Sequence, residues 1–449
     1  MRVPRILIAG TSSGSGKTTA TCAVLSLLKH RGMKVKAYKC GPDYIDPMFH
    51  KTVSGVPCTN LDPFFCDGNL LKYLLGKDSS QVAVIEGVMG YYDGTGREGS
   101  DNSTFTVADQ TDTPVILVVD GKSSAISVIA VIEGFLHFVP ESHIRGVLFN
   151  RMTPANYQNI KALMHNRFGD AVVPAGFIPP LPEECLIPSR HLGLVTAAEI
   201  KDIQERLRKT ADLCEPTIDI DAVLSIADKA SDLEFTEPDV KKFESINLAV
   251  ARDEAFCFYY DSTLDMLEKM GAELSFFSPL ADEELPHNSD GLIIGGGYPE
   301  LYSERLETNM RSKESVYKAI ASGMPTIAEC GGFQYLGMAL DGYKMCGALA
   351  HSSSRTEHLV RFGYITLTSR NDGLLGPAGT EFKAHEFHYW DSTDNGNAFI
   401  AKKPNGREWE CAVMTDTLYA GYPHLFLPSN IPAAEAFYKK CLEYKEGRR

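Results

Sequence analysis

Short apolar segments rich in β-branched residues alternate with helical segments through the first half of this 449-residue chain. Apolar strands that are separated by helices indicate a mainly parallel sheet with helices on both faces. The segments that are predicted to be strands are residues 6–9, 34–38, 82–85, 115–119 and 146–149. The pattern therefore predicts a doubly wound α/β fold for this half.

A second α/β domain is predicted to follow an acidic segment with several prolines at residues 210–245. Strand patterning restarts at residues 246–251 and continues at 292–294, 325–328 and 363–367. A chain of this length is too long for one ordinary core. We therefore expect two domains, residues 1–243 and 244–449.

The composition is that of a folded protein, with 44% hydrophobic and 23% charged residues. A net charge of −14 argues against sequence-independent nucleic-acid binding, which needs Lys and Arg to replace the phosphate counterions. The sequence has no run of 18 or more apolar residues and no secretory signal pattern, so we expect a cytoplasmic protein without a membrane partner. Its eleven cysteines form no CxxC pair, and neither a zinc site nor a disulfide framework is predicted.

A glycine-rich segment, Gly10-Thr-Ser-Ser-Gly-Ser-Gly-Lys17-Thr18, lies between the first predicted strand and a helical segment. This is the sequence context of a phosphate-binding loop. Lys17 is expected to reach the terminal phosphates and the Thr18 hydroxyl to bind magnesium, so ATP and Mg²⁺ are the predicted cofactors. The residues expected to bind the nucleotide through this loop are Gly14, Ser15, Gly16, Lys17 and Thr18.

Acidic side chains follow other predicted strands at the same edge of the sheet. Asp43 and Asp46 lie in a tight turn after the second strand, Glu86 follows the third, and Asp93 lies one loop further. Magnesium ligands and substrate-orienting groups occupy such positions in doubly wound folds. For any one of these residues the alternative is a turn or capping role. Asn150, after the fifth strand, suits either an adenine contact or a turn.

Cys330 lies between a predicted strand and a helical segment and is followed by Gly331 and Gly332. A strand, a sharp turn with small residues and a helix form a nucleophile elbow, in which the helix N-terminus favours the thiolate. Gly296 and Gly297 follow another strand and are expected to supply oxyanion-hole amides together with Gly331. The alternative is a buried structural cysteine.

A thiolate nucleophile needs a base, and His424 is the predicted one. It lies late in the chain after an aromatic turn, where the base of a Cys-His pair returns to a cysteine elbow. His385 and His388 are rival candidates, and the preference for His424 depends mainly on the resemblance given next. The spacing of the two rivals also suggests a metal site, but their alternation indicates a strand and no third ligand accompanies them.

Six sequence blocks occur together in the order typical of one family. They are Gly10-Thr-Ser-Ser-Gly-Ser-Gly-Lys17, Lys39-Cys-Gly-Pro-Asp-Tyr-Ile-Asp46, Glu86-Gly-Val-Met-Gly-Tyr-Tyr-Asp93, Ala251-Arg-Asp-Glu-Ala-Phe-Cys-Phe-Tyr259, Gly295-Gly-Gly-Tyr-Pro-Glu300 and Ala328-Glu-Cys330-Gly-Gly. Over nearly the whole chain they resemble the cobyrinate a,c-diamide synthases. The resemblance implies a dethiobiotin synthetase-like P-loop domain followed by a class I glutamine amidotransferase-like α/β domain.

The same resemblance implies a carbon–nitrogen ligase of cobalamin biosynthesis. Such an enzyme uses ATP and glutamine to amidate the a- and c-acetate carboxylates of cobyrinate through an acyl phosphate, which ammonia from the C-terminal domain attacks. The resemblance implies Thr18, Asp43 and Glu86 as magnesium ligands, Asp46 and Asp93 as substrate or phosphoryl-transfer residues, Cys330 as the glutaminase nucleophile and His424 as its base.

Phe426 marks a departure from the related enzymes, because many class I glutaminases carry a glutamate two residues after the catalytic histidine. A Cys330–His424 dyad is therefore the expectation. One alternative function is the same chemistry on hydrogenobyrinate or nickel sirohydrochlorin. Another is a regulatory ATPase with a non-catalytic C-terminal module, which Ser12 disfavours because partitioning ATPases carry a second lysine there. The expected partners are small-molecule substrates and no nucleic acid; the sequence leaves the oligomeric state open, with a homodimer as one expectation.

Overall fold

The computed structural model describes residues 1–55, 58–95, 99–122, 125–186 and 203–448. The chain divides into two compact units, Met1–Pro238 and Asp239–Arg449. The boundary between these units and the domain boundary expected near residue 243 both lie in residues 228–245, a segment without helices or strands.

One parallel sheet forms the centre of the first unit, and within the described residues it has seven strands. In chain order these are β1 (Arg5–Gly10), β2 (Val35–Cys40), β3 (Cys58–Leu61), β4 (Val82–Glu86), β5 (Val115–Asp120), β6 (Ile144–Asn150) and β7 (Val173–Ile178). Their order in the sheet is β3-β2-β4-β1-β5-β6-β7, so the chain winds outward in both directions from the centre. In a parallel sheet all carboxyl ends meet at one edge, which is where ligands bind in such folds.

Helices separate most of these strands along the chain and cover the sheet. The described helices are α1 (Lys17–His30), α2 (Ile45–Ser54), α3 (Gly68–Gly76), α4 (Thr104–Gln110), α5 (Ser127–His137), α6 (Pro154–Phe168), α7 (Ile203–Cys214) and α8 (Ile220–Ala227), with a 3₁₀ turn at Glu183–Cys185. Several begin at side-chain caps, as where Asp67 accepts the amide of Leu70. Strands β1 and β4 are buried along their full length, which explains their unbroken apolar sequences.

A mixed sheet forms the centre of the second unit. Its strands are β8 (Ile246–Ala251), β9 (Ala272–Phe277), β10 (Gly291–Ile294), β11 (Thr326–Glu329), β20 (Val413–Met414) and β21 (Leu418–Gly421). The order is β20-β21-β11-β10-β8-β9, and all neighbouring pairs are parallel except β20 with β21. The described helices of this unit are α9 (Asp261–Met270), α10 (Ser303–Thr308), α11 (Met310–Ala321), α12 (Gly331–Leu336) and α13 (Ile431–Gly447).

Two further sheets complete the second unit. Their strands are β12 (Ala339–Leu340), β13 (Tyr343–Lys344), β14 (Ser352–Arg355), β15 (Arg361–Ser369), β16 (Glu381–His388), β17 (Trp390–Ser392), β18 (Phe399–Lys402), β19 (Glu408–Cys411) and β22 (His424–Leu425). The five-stranded sheet is antiparallel, with the order β19-β18-β15-β16-β22. The smaller sheet has the order β13-β12-β14-β17, in which β12 and β14 are parallel and the other pairs antiparallel. Within the described residues, none of the helices has the length and apolar character needed to span a bilayer.

Candidate active sites

The glycine-rich loop connects the end of β1 to the start of α1. Gly16 precedes the helix in the left-handed region at a φ of 100°, and a Cβ there would lie 2.2 Å from the Asn150 side-chain nitrogen. Only glycine fits this position. The loop therefore brings its backbone close to the helix N-terminus, where amides and the helix dipole favour an anion.

Side chains of the loop and of β6 fix its conformation. Asn150 donates from Nδ2 to the Ser15 carbonyl at 2.9 Å, and Lys17 donates from Nζ to the Ser12 carbonyl at 3.0 Å. The Ser15 hydroxyl is buried and has no hydrogen-bond partner within the described residues. An unpaired buried hydroxyl beside loop amides suits a phosphate oxygen. The adenine contact predicted for Asn150 stays a prediction, because in this structure its amide contacts the loop.

Glu86, the last residue of β4, is the centre of a buried polar network. Thr18 donates its hydroxyl to Glu86 Oε1 at 2.6 Å, and Lys39 reaches the same oxygen at 2.9 Å. His50 Nε2 lies 2.7 Å from the other oxygen. Lys39 also contacts Asp46 Oδ2 at 2.5 Å. The register explains this convergence, because Glu86 lies opposite Lys39 of β2 on the same sheet edge.

The electrostatics of this network follow from burial opposed by close opposite charges. Burial alone would raise the pKa of Glu86, but Lys39 and then His50 hold that pKa well below its usual range. Burial raises the pKa of Asp46 to about 7, although Lys39 opposes the shift. Burial, and then the neighbouring Lys39, lowers the pKa of Lys17 to about 8. The site thus holds two buried lysines beside its carboxylates.

The other predicted carboxylates lie at the border of this site. Asp43 accepts the amide of Ile45 at 2.8 Å and lies 3.9 Å from the Lys39 ammonium. Asp93 is exposed and accepts the amide of Gly90 at 2.8 Å, in a loop that approaches the carbonyl of Thr11. Asp43 therefore combines the predicted turn role with a place in the charged network.

Cys330 occupies the sharp turn between β11 and α12. Its backbone has φ 47° and ψ −101°, and its amide donates to the Gly421 carbonyl at 2.7 Å. A Cβ at Gly332 would lie 2.2 Å from the Ile294 carbonyl oxygen, which explains the glycine after the turn. Burial, followed by the charge of Glu300, raises the pKa of the Cys330 thiol. For this thiol to act as a nucleophile, a base must first remove its proton.

His424 begins β22 and is buried at 3% exposure. Its imidazole lies against Gly296, where a Cβ would be 2.5 Å from the ring carbon Cε1. Gly297 lies close to Gly331, the residue after Cys330: a Cβ at Gly331 would be 3.2 Å from the Gly297 amide nitrogen. The glycine cluster after β10 therefore lies between His424 and the turn that carries Cys330.

The rival histidines lie on β16 in less suitable environments. His385 is opposite His424 in the strand pairing, and burial, with His424 next, lowers its pKa to about 3. His388 stacks on Tyr422 at 3.8 Å between ring centroids and donates from Nδ1 to the Trp390 carbonyl at 2.6 Å. Burial lowers the pKa of His388 to about 4. The choice of His424 stays a prediction that this geometry supports.

Comparison with known proteins assigns a family to each half of the chain. Residues 6–195 match the CobQ/CobB/MinD/ParA nucleotide binding domain, and residues 247–431 match the CobB/CobQ-like glutamine amidotransferase domain. A cobyrinate a,c-diamide synthase of Listeria monocytogenes serotype 4b is 38% identical over 441 residues, covering 95% of this chain and 97% of the relative. The protein of that name from Thermoplasma volcanium is 37% identical, covering 100% and 99%. The chain belongs to the cobyrinate a,c-diamide synthase family.

Membership of the cobyrinate a,c-diamide synthase family confirms the predicted family, and the two matched domains confirm the predicted fold class. Solved structures add nothing to the assignment. The PurLQS structure from Thermotoga maritima covers 44% of this chain and 98% of its own, with 16% identity and a TM-score of 0.33. A glutamine amidotransferase structure covers 43% and 98%, with 15% identity and a TM-score of 0.32.

The donor set of the nucleotide-binding domain fits the predicted magnesium ion. Thr18, Asp43 and Glu86 offer oxygen ligands, which Mg²⁺ prefers. No group of three or more His, Cys, Asp or Glu side chains in the described part of the chain is arranged to hold a metal ion by itself. The fit therefore requires additional oxygens from nucleotide phosphates and water, the usual manner in which proteins bind Mg²⁺.

Three residues of these synthase sites escaped prediction from the sequence. Lys39 and His50 were part of recognisable motifs, but nothing in the sequence showed that both contact Glu86. Glu329 immediately precedes Cys330, and its Oε2 lies 3.5 Å from His424 Nδ1. The expected Cys330–His424 dyad therefore has a nearby carboxylate, which belongs to the residue before Cys330 and not to a residue after His424. The one local signal in the sequence was the position of Lys39 at the end of a predicted strand. The structure buries this lysine, and lysines are rarely buried unless they are paired.

Proposed function

We propose that this chain catalyses the ATP- and glutamine-dependent amidation of the a- and c-acetate carboxylates of cobyrinate in cobalamin biosynthesis. The observation that carries this proposal is the presence of two sites in one chain. One unit has a phosphate loop with carboxylates at the same sheet edge, and the other has a cysteine elbow with a buried histidine. Relatives named for this reaction match nearly the full chain.

In the first unit the substrate carboxylate becomes electrophilic. A carboxylate oxygen forms a bond to the γ-phosphorus of ATP while the bond from phosphorus to the ADP oxygen breaks, which gives an acyl phosphate. Lys17 and the loop amides stabilise negative charge on the transferring phosphoryl group. Magnesium, when bound by Thr18, Asp43 and Glu86, supplies further charge neutralisation. Asp46 and Asp93 orient the substrate.

Ammonia then attacks the carbonyl carbon of the acyl phosphate. The carbon–nitrogen bond forms, the bond from carbon to the phosphate oxygen breaks, and one proton of the attacking nitrogen passes to solvent or a nearby base. Lys39 keeps Asp46 and Glu86 in place during these steps through its contacts with both carboxylates. Two such cycles yield the a,c-diamide at the cost of two ATP and two glutamines.

In the second unit Cys330 releases that ammonia from glutamine. His424 takes the thiol proton, the sulfur bonds to the amide carbon of glutamine, and the carbonyl electron pair moves onto oxygen. Amides of Gly296, Gly297 and Gly331 stabilise this oxyanion. The carbon–nitrogen bond then breaks as the imidazolium returns its proton to nitrogen. Water hydrolyses the thioester to glutamate and regenerates the thiol.

The test is to incubate the protein with ATP, glutamine and a defined macrocycle and to determine product masses. We expect cobyrinate to be converted to a diamide, with two ATP hydrolysed per product molecule. Conversion of hydrogenobyrinate or nickel sirohydrochlorin in preference to cobyrinate would contradict the proposed substrate. ATP hydrolysis without any amide product would favour the regulatory ATPase. The cytoplasmic location and the homodimer stay predictions, the latter tested by light scattering.

A further inference from the structure

We propose that Glu329 is the positioning carboxylate of the glutaminase site, which orients His424 for proton transfer from Cys330. This inference depends on the proposed role of Cys330 and His424 in glutamine hydrolysis. It gives Glu329 the task that class I glutaminases assign to a glutamate after the histidine, a position that Phe426 occupies in this chain.

The two carboxylate oxygens of Glu329 reach two consecutive residues of β22. Oε1 accepts the amide of Leu425 at 2.9 Å, and Oε2 lies 3.5 Å from His424 Nδ1. The Glu329 side chain is only 13% exposed and the His424 side chain only 4%. The contact with the Leu425 amide orients the carboxylate, so the second oxygen has a defined place beside the imidazole.

The sheet explains why a residue next to the nucleophile can do this. Glu329 ends β11 and lies opposite Gly421 of β21, three residues before His424. The chain turns after β21 and enters β22, which brings His424 back past the end of β11. Glu329 and Cys330 are consecutive at the same strand end. The nucleophile and the carboxylate that orients its base therefore move together.

This orientation decides which imidazole nitrogen acts as the base. A carboxylate beside Nδ1 favours the tautomer with hydrogen on Nδ1, which leaves a lone pair on Nε2 for the thiol proton. When the imidazolium forms, a carboxylate at this place stabilises its positive charge. A separation of 3.5 Å is compatible with this role, because such hydrogen bonds tighten when substrate binds.

Other charged and titratable groups also surround this pair. Glu300 and Glu386 act electrostatically on Cys330, as Glu329 does. His385 and His388, both on β16, interact electrostatically with His424. Glu329 differs from the other carboxylates because the structure places it at ion-pair distance from the imidazole.

The decisive variant is Glu329→Gln in the full-length chain, with glutamate release measured in the presence of ATP and cobyrinate. Glutamine at this position still accepts the Leu425 amide but carries no charge. We expect kcat for glutamate release to fall by about 10²-fold or more, with little change in KM for glutamine, since loss of the orienting carboxylate in a serine protease costs about 10⁴-fold. The acid limb of the pH profile should move to lower pH, because the imidazolium loses its counter-charge.

Asp290→Asn is the matched control. Asp290 is also a buried carboxylate that accepts a backbone amide, that of Asn247 at 2.8 Å, but it lies immediately before β10. We expect this variant to keep its glutaminase kcat and pH profile, and both variants to keep ammonia-supported synthesis. An unchanged kcat and pH profile for Glu329→Gln, or equal losses in both variants, would overturn the positioning role. Absence of glutamate release by the unmodified protein would instead refute the proposed function.

Discussion

The two units treat a buried glutamate in opposite ways. Glu86 is fully buried in the first unit, yet Lys39, His50 and Thr18 contact it, and its pKa is held below the usual range. Glu386 in the second unit is 2% exposed, and burial raises its pKa to about 7. Its Oε2 has no hydrogen-bond partner within the described residues. The first unit maintains charge inside the fold, whereas the second is organised by backbone shape around a thiol.

This difference agrees with the two proposed chemistries. A site for a polyphosphate and a carboxylate needs fixed charges of both signs before its ligands arrive. A cysteine elbow needs a strained turn, closely packed glycines and one base with its orienting group. We expect substitutions that remove charge to be most damaging in the first unit and substitutions that change backbone shape or imidazole orientation to be most damaging in the second.

The largest effect is expected for Lys39→Met, which leaves Asp46 and Glu86 buried without their shared cation. Breaking a buried ion pair by removal of one partner costs about 3–5 kcal/mol. Chemical denaturation should show a loss of this size, and ammonia-supported synthesis should cease. Lys36→Met is the control on the same strand, because Lys36 pairs with the more exposed Asp78 at 3.1 Å. Its expected cost is below about 1 kcal/mol, and equal losses would contradict the comparison.

Gly16→Ala should disrupt the phosphate loop more than Gly14→Ala does. Both glycines have positive φ, but a Cβ at Gly16 would lie 2.2 Å from Asn150 Nδ2, whereas none of the described atoms lies within 4 Å of one at Gly14. The difference between the variants therefore isolates the steric contact, at about 1–3 kcal/mol. Nucleotide titration and thermal unfolding measure it. Equal behaviour of the two variants would show that the contact with Asn150 has no influence.

Glu386→Gln tests the buried Glu386 through the pH dependence of the free energy of unfolding. The folded chain binds the Glu386 proton more tightly than the unfolded chain, so the free energy of unfolding falls as pH rises from the unfolded pKa to about 7. The glutamine variant avoids this loss. It should be more stable than the original by about 1–3 kcal/mol at about pH 8, and the gain should vanish near pH 4. Thermal unfolding at both pH values measures this, and a loss of stability at pH 8 would contradict it.

The smallest effect is expected for His385→Gln. Burial, and then His424, lowers the pKa of His385, which keeps its imidazole neutral. In the strand pairing His385 lies opposite His424, the proposed base. Glutaminase kcat should fall by less than about tenfold, against about 10²–10⁴-fold for loss of a general base in His424→Gln. A larger loss in His385→Gln than in His424→Gln would reverse the assignment of the base.

Local patterns were sufficient for the elements with unbroken apolar sequence. The predicted strands at residues 6–9, 82–85 and 246–251 correspond to β1, β4 and β8. β3, β7 and β9 were missed: β3 has the polar sequence Cys-Thr-Asn-Leu, β7 contains Pro174 and Gly176, and the edge strand β9 mixes polar and apolar residues. Most of the antiparallel strands were missed because they are too short to show an alternating pattern. Several have only two to four residues, as in β12 (Ala339–Leu340) and β22 (His424–Leu425).

The sites were predictable wherever their residues lie within one motif or at a strand end. The phosphate loop and the cysteine elbow are each formed by one short continuous segment, and Glu86 comes at the end of an apolar strand. Contacts between distant segments were not predictable, as with His50 and Glu86 or Glu329 and His424. These depend on strand register and chain reversal, which no single segment records.

The central claim is that Lys17 belongs to the synthetase site and Cys330 to the glutaminase site of one enzyme. The direct test measures diamide formation by Cys330→Ala and Lys17→Ala with either glutamine or ammonium chloride as nitrogen source, with Cys346→Ala as the thiol control. We expect Cys330→Ala to lose glutamine-supported synthesis but keep ammonia-supported synthesis, Lys17→Ala to lose both, and the control to keep both. Undiminished glutamine-supported synthesis by Cys330→Ala would contradict the account.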